Sequence, residues 1–208
     1  MSGDDELRKS LPYIKNFRNA LDIGSCVGDT VKDFSTKFKH VYGFEPLKET
    51  YGKLVENTKH LNNVTCYNYA VGEKSDELEI SNLKLSPTRN KILDKEGEKF
   101  LDGYVKSRNL GFHLWSREKV KAIDIDSFEF TDIDFIKIDT ECYVLPVLKG
   151  MKNTLLENNY PPLFVEIDDS FGGLHDVLKW FKDLGYSNKS VDKLNYIFYF
   201  EVKNGYFL

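Results

Sequence analysis

The sequence lacks the features that mark secreted, membrane-embedded and nucleic-acid-binding proteins. It has three cysteines in 208 residues, too few and too widely spaced for a disulfide framework or a C-x-x-C zinc site. No window approaches the roughly 18 apolar residues of a membrane span, and no basic segment followed by an apolar run marks a secretory signal. The net charge of −4 does not favour nucleic acid or an anionic membrane as a partner. These absences predict a soluble, cytoplasmic protein.

Short apolar segments alternate with helical periodicity, which is typical of an α/β protein with a mostly parallel sheet. The length suits a single domain, residues 1–208. Strands are predicted at 20–23, 41–44, 64–68, 78–81, 120–125, 135–138 and 163–167. Helices are predicted at 31–38, 47–60, 145–158 and 174–184. The tail, 195–207, is expected to form a strand that closes the sheet edge.

The segment at about 82–119 interrupts this alternation. Its local charge is +4 in an acidic chain, and aromatic residues including Tyr104 and Trp115 are spread along it. Because long connections often form binding loops, we expect a substrate-facing insertion. Its charge would bind an acidic or sugar-like acceptor, and its rings would stack on that acceptor. A solvated surface insertion is the alternative.

The stretch LDIGSCVGDT, residues 21–30, looks like a nucleotide-binding turn but lacks G-x-G-x-x-G. Gly24 permits a sharp turn and close approach of a ligand, and Gly28 lets the following helix pack. The first N–H groups of that helix point at the ligand. In dinucleotide enzymes they hold a pyrophosphate, which the carboxylate of Asp29 would repel. A zwitterionic amino-acid tail suits this turn better.

Glu45 follows the second predicted strand about 20 residues after the turn, where an acid typically binds the ribose hydroxyls. The turn and this acid suit an adenosine with a ribose diol and an amino-acid tail, which describes S-adenosylmethionine. Two alternatives stay open. One is a plain strand–helix turn without a ligand. The other is a NAD-dependent oxidoreductase, disfavoured by Asp29 and by Cys26 in the middle glycine position.

Four further motifs follow in order: VYGFEP at 41–46, NYAVGEKS at 68–75, IDFIKIDTECYVLPVLKGM at 133–151 and PPLFVEI at 161–167. With LDIGSCVGDT, they make the chain resemble the FkbM family of methyltransferases over roughly residues 18–170. The resemblance implies a class I methyltransferase (Rossmann-like) fold, with a seven-stranded, mostly parallel sheet and an antiparallel last strand. It also implies S-adenosylmethionine as the cofactor and O-methylation of a hydroxyl on a sugar or other small metabolite.

The resemblance assigns roles to individual residues. Those expected around the methionine half of the cofactor are Asp22, Gly24, Ser25, Gly28 and Thr30, with Asp29 beside them at the start of the helix. Glu45 would bind the ribose, while Asn68, Ala70 and Val71 would lie by the adenine. Asp139 would border both the methionine amine and the acceptor.

The sequence departs from the family pattern directly after Asp139. The usual Val-Glu-Gly-Tyr-Glu is Thr-Glu-Cys-Tyr-Val here, so Cys142 replaces a glycine and Val144 replaces the second glutamate. This departure predicts either a different acceptor or a catalytically weakened nucleotide-binding module that keeps the fold.

Transfer of a methyl group to an alcohol requires a group that accepts the hydroxyl proton. We expect Asp139 and Glu141 to form the acceptor end of the site. Two further catalytic candidates are Glu166, a carboxylate in an apolar strand, and His113 in the insertion. No ligand spacing in the sequence indicates a metal ion.

Overall fold

Strands and helices alternate along most of the chain. The computed structural model describes residues 3–83, 90–108, 114–169 and 173–201. The helices are α1 (Gly3–Ser10), α2 (Asp29–Ser35), α3 (Lys48–Thr58), α4 (Lys95–Arg108), α5 (Val144–Lys149), α6 (Lys152–Glu157) and α7 (Leu174–Asp183). The strands are β1 (Asn19–Ile23), β2 (His40–Phe44), β3 (Val64–Tyr67), β4 (Ala70–Val71), β5 (Asp76–Leu83), β6 (Trp115–Ile123), β7 (Ile133–Ile138), β8 (Leu163–Glu166), β9 (Ser187–Ser190) and β10 (Asn195–Tyr199).

Seven strands form the main sheet in the order β3-β2-β1-β7-β8-β10-β9. The first five are parallel to one another, and β10 runs antiparallel to both of its neighbours. The predicted seven-stranded, mostly parallel sheet with an antiparallel last strand is therefore confirmed. Within the described ranges, no helix has both the length and the apolar character needed to cross a membrane.

The central strands are buried on both faces, which is why they appear as apolar segments without alternation. All six residues of β7 are buried, and so are four of the five in β1. One apolar cluster joins these strands to α5, α6 and α7, and a second joins them to α2 and α3. The helices therefore cover the two faces of the sheet and leave its strand ends to form the site.

The predicted tail strand forms, but its position differs from the expectation. β10 lies one place inside the sheet, and the edge is β9. β9 has the sequence SNKS and was missed because it carries no apolar alternation. A short polar strand with a lysine is typical of a sheet edge that does not recruit further strands.

The single helix predicted for 145–158 is two helices, α5 and α6. The break comes at Gly150, whose carbonyl accepts a hydrogen bond from the Asp126 N–H at 3.0 Å. The Asp126 carboxylate then accepts the N–H groups of Asn153 and Thr154, at 3.0 and 2.7 Å, and caps α6. The helix is therefore interrupted by a residue 24 positions upstream of Gly150, which local periodicity does not reveal.

A second, three-stranded sheet has the order β4-β6-β5. Leu83 of β5 pairs with Trp115 of β6, so the arms of this hairpin take up both ends of the segment predicted as an insertion. Leu101 and Tyr104 of α4 are buried together with Leu83 of β5, and Trp115 of β6 packs against the same cluster. These two rings hold α4 on the strands, contrary to the expectation that they stack on a ligand.

The loop after β1 passes very close to the end of β7. Gly24 has a φ of +87°, and a Cβ on it would lie 1.8 Å from the Asp139 carbonyl oxygen. The Asp139 N–H donates to the Ile23 carbonyl at 2.9 Å. A glycine is required at position 24 because the Asp139 carbonyl occupies the place that a side chain would take.

Gly24→Ala should therefore lower the free energy of unfolding by about 2–5 kcal/mol, since it adds left-handed strain to a clash with rigid backbone. Gly52→Ala is the matched control, because a Cβ on Gly52 meets nothing within 4 Å and it lies inside α3, where alanine stabilises by up to about 1 kcal/mol. Urea unfolding of both variants measures the difference. Equal stability of the two variants would refute this account of Gly24.

Candidate active site

A cleft of about 760 Å³, its open mouth included, lies at the carboxyl ends of β1, β2 and β7. Ligands of open α/β sheets bind at this end of the strands. Six of the predicted site residues line it: Gly24, Glu45, Ala70, Val71, Asp139 and Glu141. Its apolar wall comes from the strand ends and from the second sheet, with Ile23, Phe44, Leu47, Tyr69, Ile80 and Ile92. The cleft is thus apolar in its middle and acidic at two places.

The turn after β1 is fastened to the end of β2. The N–H groups of Gly24 and Ser25 both donate to the Phe44 carbonyl, at 3.0 and 2.9 Å. The Ser25 hydroxyl donates to the Asp22 carbonyl at 2.8 Å and accepts the Phe44 N–H at 3.0 Å. Ser25 is therefore buried and shapes the turn from behind, and it does not line the cleft.

Glu45 forms the first acidic point, and it is only 7% exposed. One carboxylate oxygen accepts the Cys26 N–H at 3.1 Å and the other accepts the Leu47 N–H at 3.0 Å. Burial nevertheless raises the pKa of Glu45 to about 7, against the effect of these two hydrogen bonds. Its position is set from both sides, by the turn after β1 and by the start of α3.

Three carboxylates form the second acidic point. Oxygens of Asp139, Glu141 and Glu166 lie within 4.8 Å of one another. Asp139 follows β7, Glu141 follows it by two residues with a φ of +49°, and Glu166 ends β8. The parallel pairing of β7 with β8 brings them together across 27 residues of sequence.

Two buried lysines supply positive charge to this acidic region. Lys137 Nζ lies 3.0 Å from Asp139 Oδ2, 3.7 Å from Asp22 Oδ1 and 4.0 Å from Glu6 Oε2. Burial disfavours its charge, but these carboxylates together raise the pKa of Lys137. Lys91 Nζ lies 3.3 Å from Glu141 Oε2.

Acidic groups still outnumber the ammonium groups in this region. Both carboxylate oxygens of Asp22 and one of Glu6 are buried without a hydrogen-bond partner in the described part of the chain. Buried carboxylates with unused lone pairs are unfavourable unless a cation or donor meets them. The excess of carboxylates in and beneath the cleft therefore suits a positively charged ligand and opposes an anionic one.

Several predicted site residues lie away from the cleft. Asp29 is exposed and pairs with Lys32 at 2.6 Å, so it does not occupy the place of a pyrophosphate. Thr30 follows it on α2 outside the cleft lining. Gly28, with a φ of +91°, packs closely against Leu54 of α3.

The Asn68 amide donates to the carbonyls of Glu45 and Pro46, both at 2.9 Å, so it supports the loop that carries Glu45 instead of facing the cleft. His113 lies outside the described residues.

The two lysines were missed by sequence reasoning. Lys137 carries a detectable signal, since a charged residue stands inside the otherwise apolar strand DFIKI, as Glu166 does in LFVEI. Lys91 carries no such signal, because it lies in a polar segment. Its position depends on backbone pairing of Lys91 with Ser81 and of Leu93 with Glu79 along β5.

Solved structures that resemble this chain include several methyltransferases. Methyltransferase FkbM from Methylobacillus flagellatus KT matches with a TM-score of 0.64 at 16% identity, over 96% of this chain and 48% of that one. A Streptococcus mutans protein described as a methyltransferase, solved in complex with SAH, matches with a TM-score of 0.51 at 12% identity, over 94% and 92%. Ribosomal protein L11 methylase from Lactobacillus delbrueckii subsp. bulgaricus gives 0.50 at 9%, over 94% and 74%.

The strand order and the antiparallel strand β10 define the class I methyltransferase fold. The sequence pattern of the methyltransferase FkbM domain matches residues 22–187. The chain therefore belongs to the FkbM methyltransferase family. It spans about half the length of the Methylobacillus protein. No match was found among curated protein sequences.

The stability of the protein should depend on pH through Glu45. Its pKa is raised from 4.5 to about 7 in the folded state, so the folded state binds more protons between these values and loses stability as pH rises through them. Relative to Glu45→Gln, the wild type should gain about 1–3 kcal/mol in free energy of unfolding between about pH 8 and about pH 5. Urea unfolding at both pH values measures it, with the exposed Glu157→Gln as control. A pH-independent difference would contradict the burial of an ionisable Glu45.

Proposed function

We propose that the protein is an S-adenosylmethionine-dependent methyltransferase that methylates a hydroxyl group on a sugar or other small metabolite. The observation that carries this proposal is that Glu45, Asp139 and Glu141 line one apolar cleft, with a Glu166 carboxylate oxygen within 4.8 Å of oxygens of Asp139 and Glu141. S-adenosylmethionine has a ribose diol, which donates hydrogen bonds to a carboxylate, and a sulfonium and an ammonium group, which carry positive charge.

The adenosine half fits the Glu45 side of the cleft. The Glu45 carboxylate is already oriented by two backbone N–H groups and keeps lone pairs for the ribose hydroxyls. Ala70 and Val71 are small to medium side chains on the wall next to it, with Tyr69 beside them, and leave room for a flat base. An acid at this place also opposes a 2′-phosphate through charge repulsion.

The methionine half fits the side of Gly24 and Asp139. Gly24 lines the cleft without a side chain, and Asp139 is held from below by Lys137. Asp22 lies beneath this point with both carboxylate oxygens lacking hydrogen-bond partners among the described residues. Gly24 and Asp139 would hold the charged amino-acid end, with the negative charge of the buried Asp22 beneath them, and the cofactor would supply an activated methyl group there.

A dinucleotide cofactor fits the same cleft poorly. Asp29, on which the sequence argument rested, does not face the cleft. Glu45, Asp139 and Glu141 line the cleft instead, and their negative charge opposes an anionic cofactor. Two phosphates placed among these carboxylates would be repelled, since Lys137 and Lys91 are already paired with Asp139 and Glu141.

The chain's own residues have two tasks in the transfer. They align the acceptor oxygen with the methyl group, and such positioning contributes on the order of 7–11 kcal/mol in well-aligned reactions. They also accept the hydroxyl proton as the new bond forms, which contributes about 10²–10⁴-fold. The three-carboxylate cluster provides groups for the second task next to the predicted position of the methyl.

The two cationic residues of β6 in the insertion are neutralised by glutamates, which favours a neutral acceptor over the acidic one suggested by the sequence. Arg117 forms ion pairs with Glu98 and Glu79, and Lys119 pairs with Glu77 at 2.8 Å. Glu77 and Glu79 lie on β5 just outside the segment 82–119, so the local count of +4 omitted them. A sugar-like polyol can donate hydrogen bonds to the acidic cluster without charge repulsion.

A module that has lost turnover is the second candidate, and the conformation of Cys142 favours it. Cys142 has a φ of +77°, a left-handed conformation that suits the glycine of the family pattern. Val144 is buried in the core at the start of α5, so no side chain replaces the second glutamate there. Methyl transfer measured with a panel of sugars and other hydroxyl compounds distinguishes enzyme from module.

Calorimetry should detect binding of S-adenosylmethionine and S-adenosylhomocysteine but not of NAD. Glu45→Gln should weaken binding of both sulfur nucleosides by about tenfold to a hundredfold, since a charged acceptor for the ribose hydroxyls is lost. Glu157→Gln, an exposed glutamate on α6, is the matched control. Binding of NAD in preference to the sulfur compounds would overturn the assignment.

Asp139→Asn should lower methyl transfer to any acceptor found in the panel by about 10²-fold or more, because it removes the charged end of β7. The fold should persist, as checked by circular dichroism and urea unfolding, because Lys137 keeps Asp22 and Glu6 as partners. Full activity of this variant would remove Asp139 from the site.

A further inference from the structure

The three carboxylates at the acceptor end are not equivalent. Asp139 Oδ2 is 3.0 Å from Lys137 Nζ, and Glu141 Oε2 is 3.3 Å from Lys91 Nζ. Both are therefore committed to ion pairs with lysines that are themselves buried. In the described part of the chain, no lysine or arginine nitrogen comes within 4.0 Å of the Glu166 carboxylate.

We infer that Glu166 is the general base of the transfer, and that Asp139 and Glu141 position the acceptor hydroxyl beside it. This inference rests on the proposed function. As the acceptor oxygen bonds to the methyl carbon, the carbon–sulfur bond breaks and its electron pair stays on sulfur, leaving a neutral thioether. The hydroxyl proton passes to a carboxylate oxygen of Glu166, which becomes a neutral acid.

The surroundings of Glu166 suit a base that works near neutral pH. Burial raises its pKa to about 7, and the nearby charges of Asp139 and Glu141 act in the same direction, against the effect of Lys137. A carboxylate is a stronger proton acceptor when its environment disfavours its charge. Asp139 and Glu141, which are paired with lysines, therefore orient the acceptor. Glu166, without a lysine partner among the described residues, accepts the proton.

The other elements packed against β8 add little charge at this position. β10 presents Asn195 opposite Glu166, and the Asn195 amide is bonded to Asp192. α1 also packs on β8 and carries Glu6, whose carboxylate is 4.0 Å from Lys137. The charged groups that decide the titration of Glu166 are thus Asp139, Glu141 and Lys137.

The lysine partner of Glu141 comes from the second sheet and not from the main one. Residues 91–93 pair along β5 through two backbone hydrogen bonds. The Ser81 N–H donates to the Lys91 carbonyl at 2.9 Å, and the Leu93 N–H donates to the Glu79 carbonyl at 2.7 Å. Asn90 and Ile92 on either side of Lys91 line the cleft. The same short segment therefore forms the outer wall of the acceptor end and pairs with Glu141.

The pH profile of methyl transfer separates Glu166 from its neighbours. In the wild type, kcat/KM should rise with pH and level off above about 7, where Glu166 is ionised. Glu166→Gln should lower kcat by about 10²–10⁴-fold and abolish this rise. Asp139→Asn should keep the rise but shift it to lower pH, since one like charge is removed. Glu166→Gln should bind S-adenosylhomocysteine within a few-fold of the wild type, because Glu166 does not line the part of the cleft assigned to the cofactor.

A direct titration tests the same assignment without an acceptor. In protein labelled with ¹³C at the glutamate side-chain carboxyls, Glu166→Gln should remove one resonance that titrates near pH 7, with Glu157→Gln at an exposed site as the matched control for assignment. Loss of a resonance titrating near 4.5 in Glu166→Gln, or an unchanged pH profile in that variant, would overturn the role of Glu166. Failure of the wild type to bind S-adenosylmethionine would instead overturn the proposed function.

Discussion

The approach of the turn after β1 to the end of β7 is the constraint on which the site depends. Gly24 has no side chain because the Asp139 carbonyl occupies that space, and the Asp139 N–H bonds to the Ile23 carbonyl. This contact fixes the distance between the turn and the acidic cluster. The cleft can then present Glu45 on one side and Asp139 on the other at a constant spacing, which suits a ligand with a polar group at each end.

Buried charge is the second organising feature, and it has an energetic consequence. Carboxylates without sufficient partners destabilise a folded chain, yet here they gather around Lys137 and Lys91 at the carboxyl ends of the strands. The pKa values of Glu6, Glu45 and Glu166 are each raised to about 7, mainly by burial. Such an arrangement is understandable where a cationic ligand offsets the charge, since residues at functional sites often sacrifice stability for binding.

The sequence predicted most of the main sheet because buried parallel strands appear in it as short apolar segments. β1, β2, β7 and β8 are continuous apolar segments, and their boundaries were found to within two residues. β9 was missed because a polar edge strand has no pattern of its own. The break at Gly150 was missed because Asp126 caps α6 from another part of the chain. In the site, Gly24, Glu45 and Asp139 stand at strand ends, where topology alone brings them together.

What the sequence determined by itself is the order along the chain of the main-sheet strands other than β9 and the acidic character of the strand ends, since both follow from local composition and spacing. Only the tertiary structure decided which charges meet. Asp29 is exposed and pairs with Lys32. Lys91 pairs with Glu141, which lies 50 residues away in the sequence. Lys137 lies near Asp22 because β7 pairs with β1. Charge partners depend on three-dimensional distance and burial, and no pattern along the chain encodes either of them.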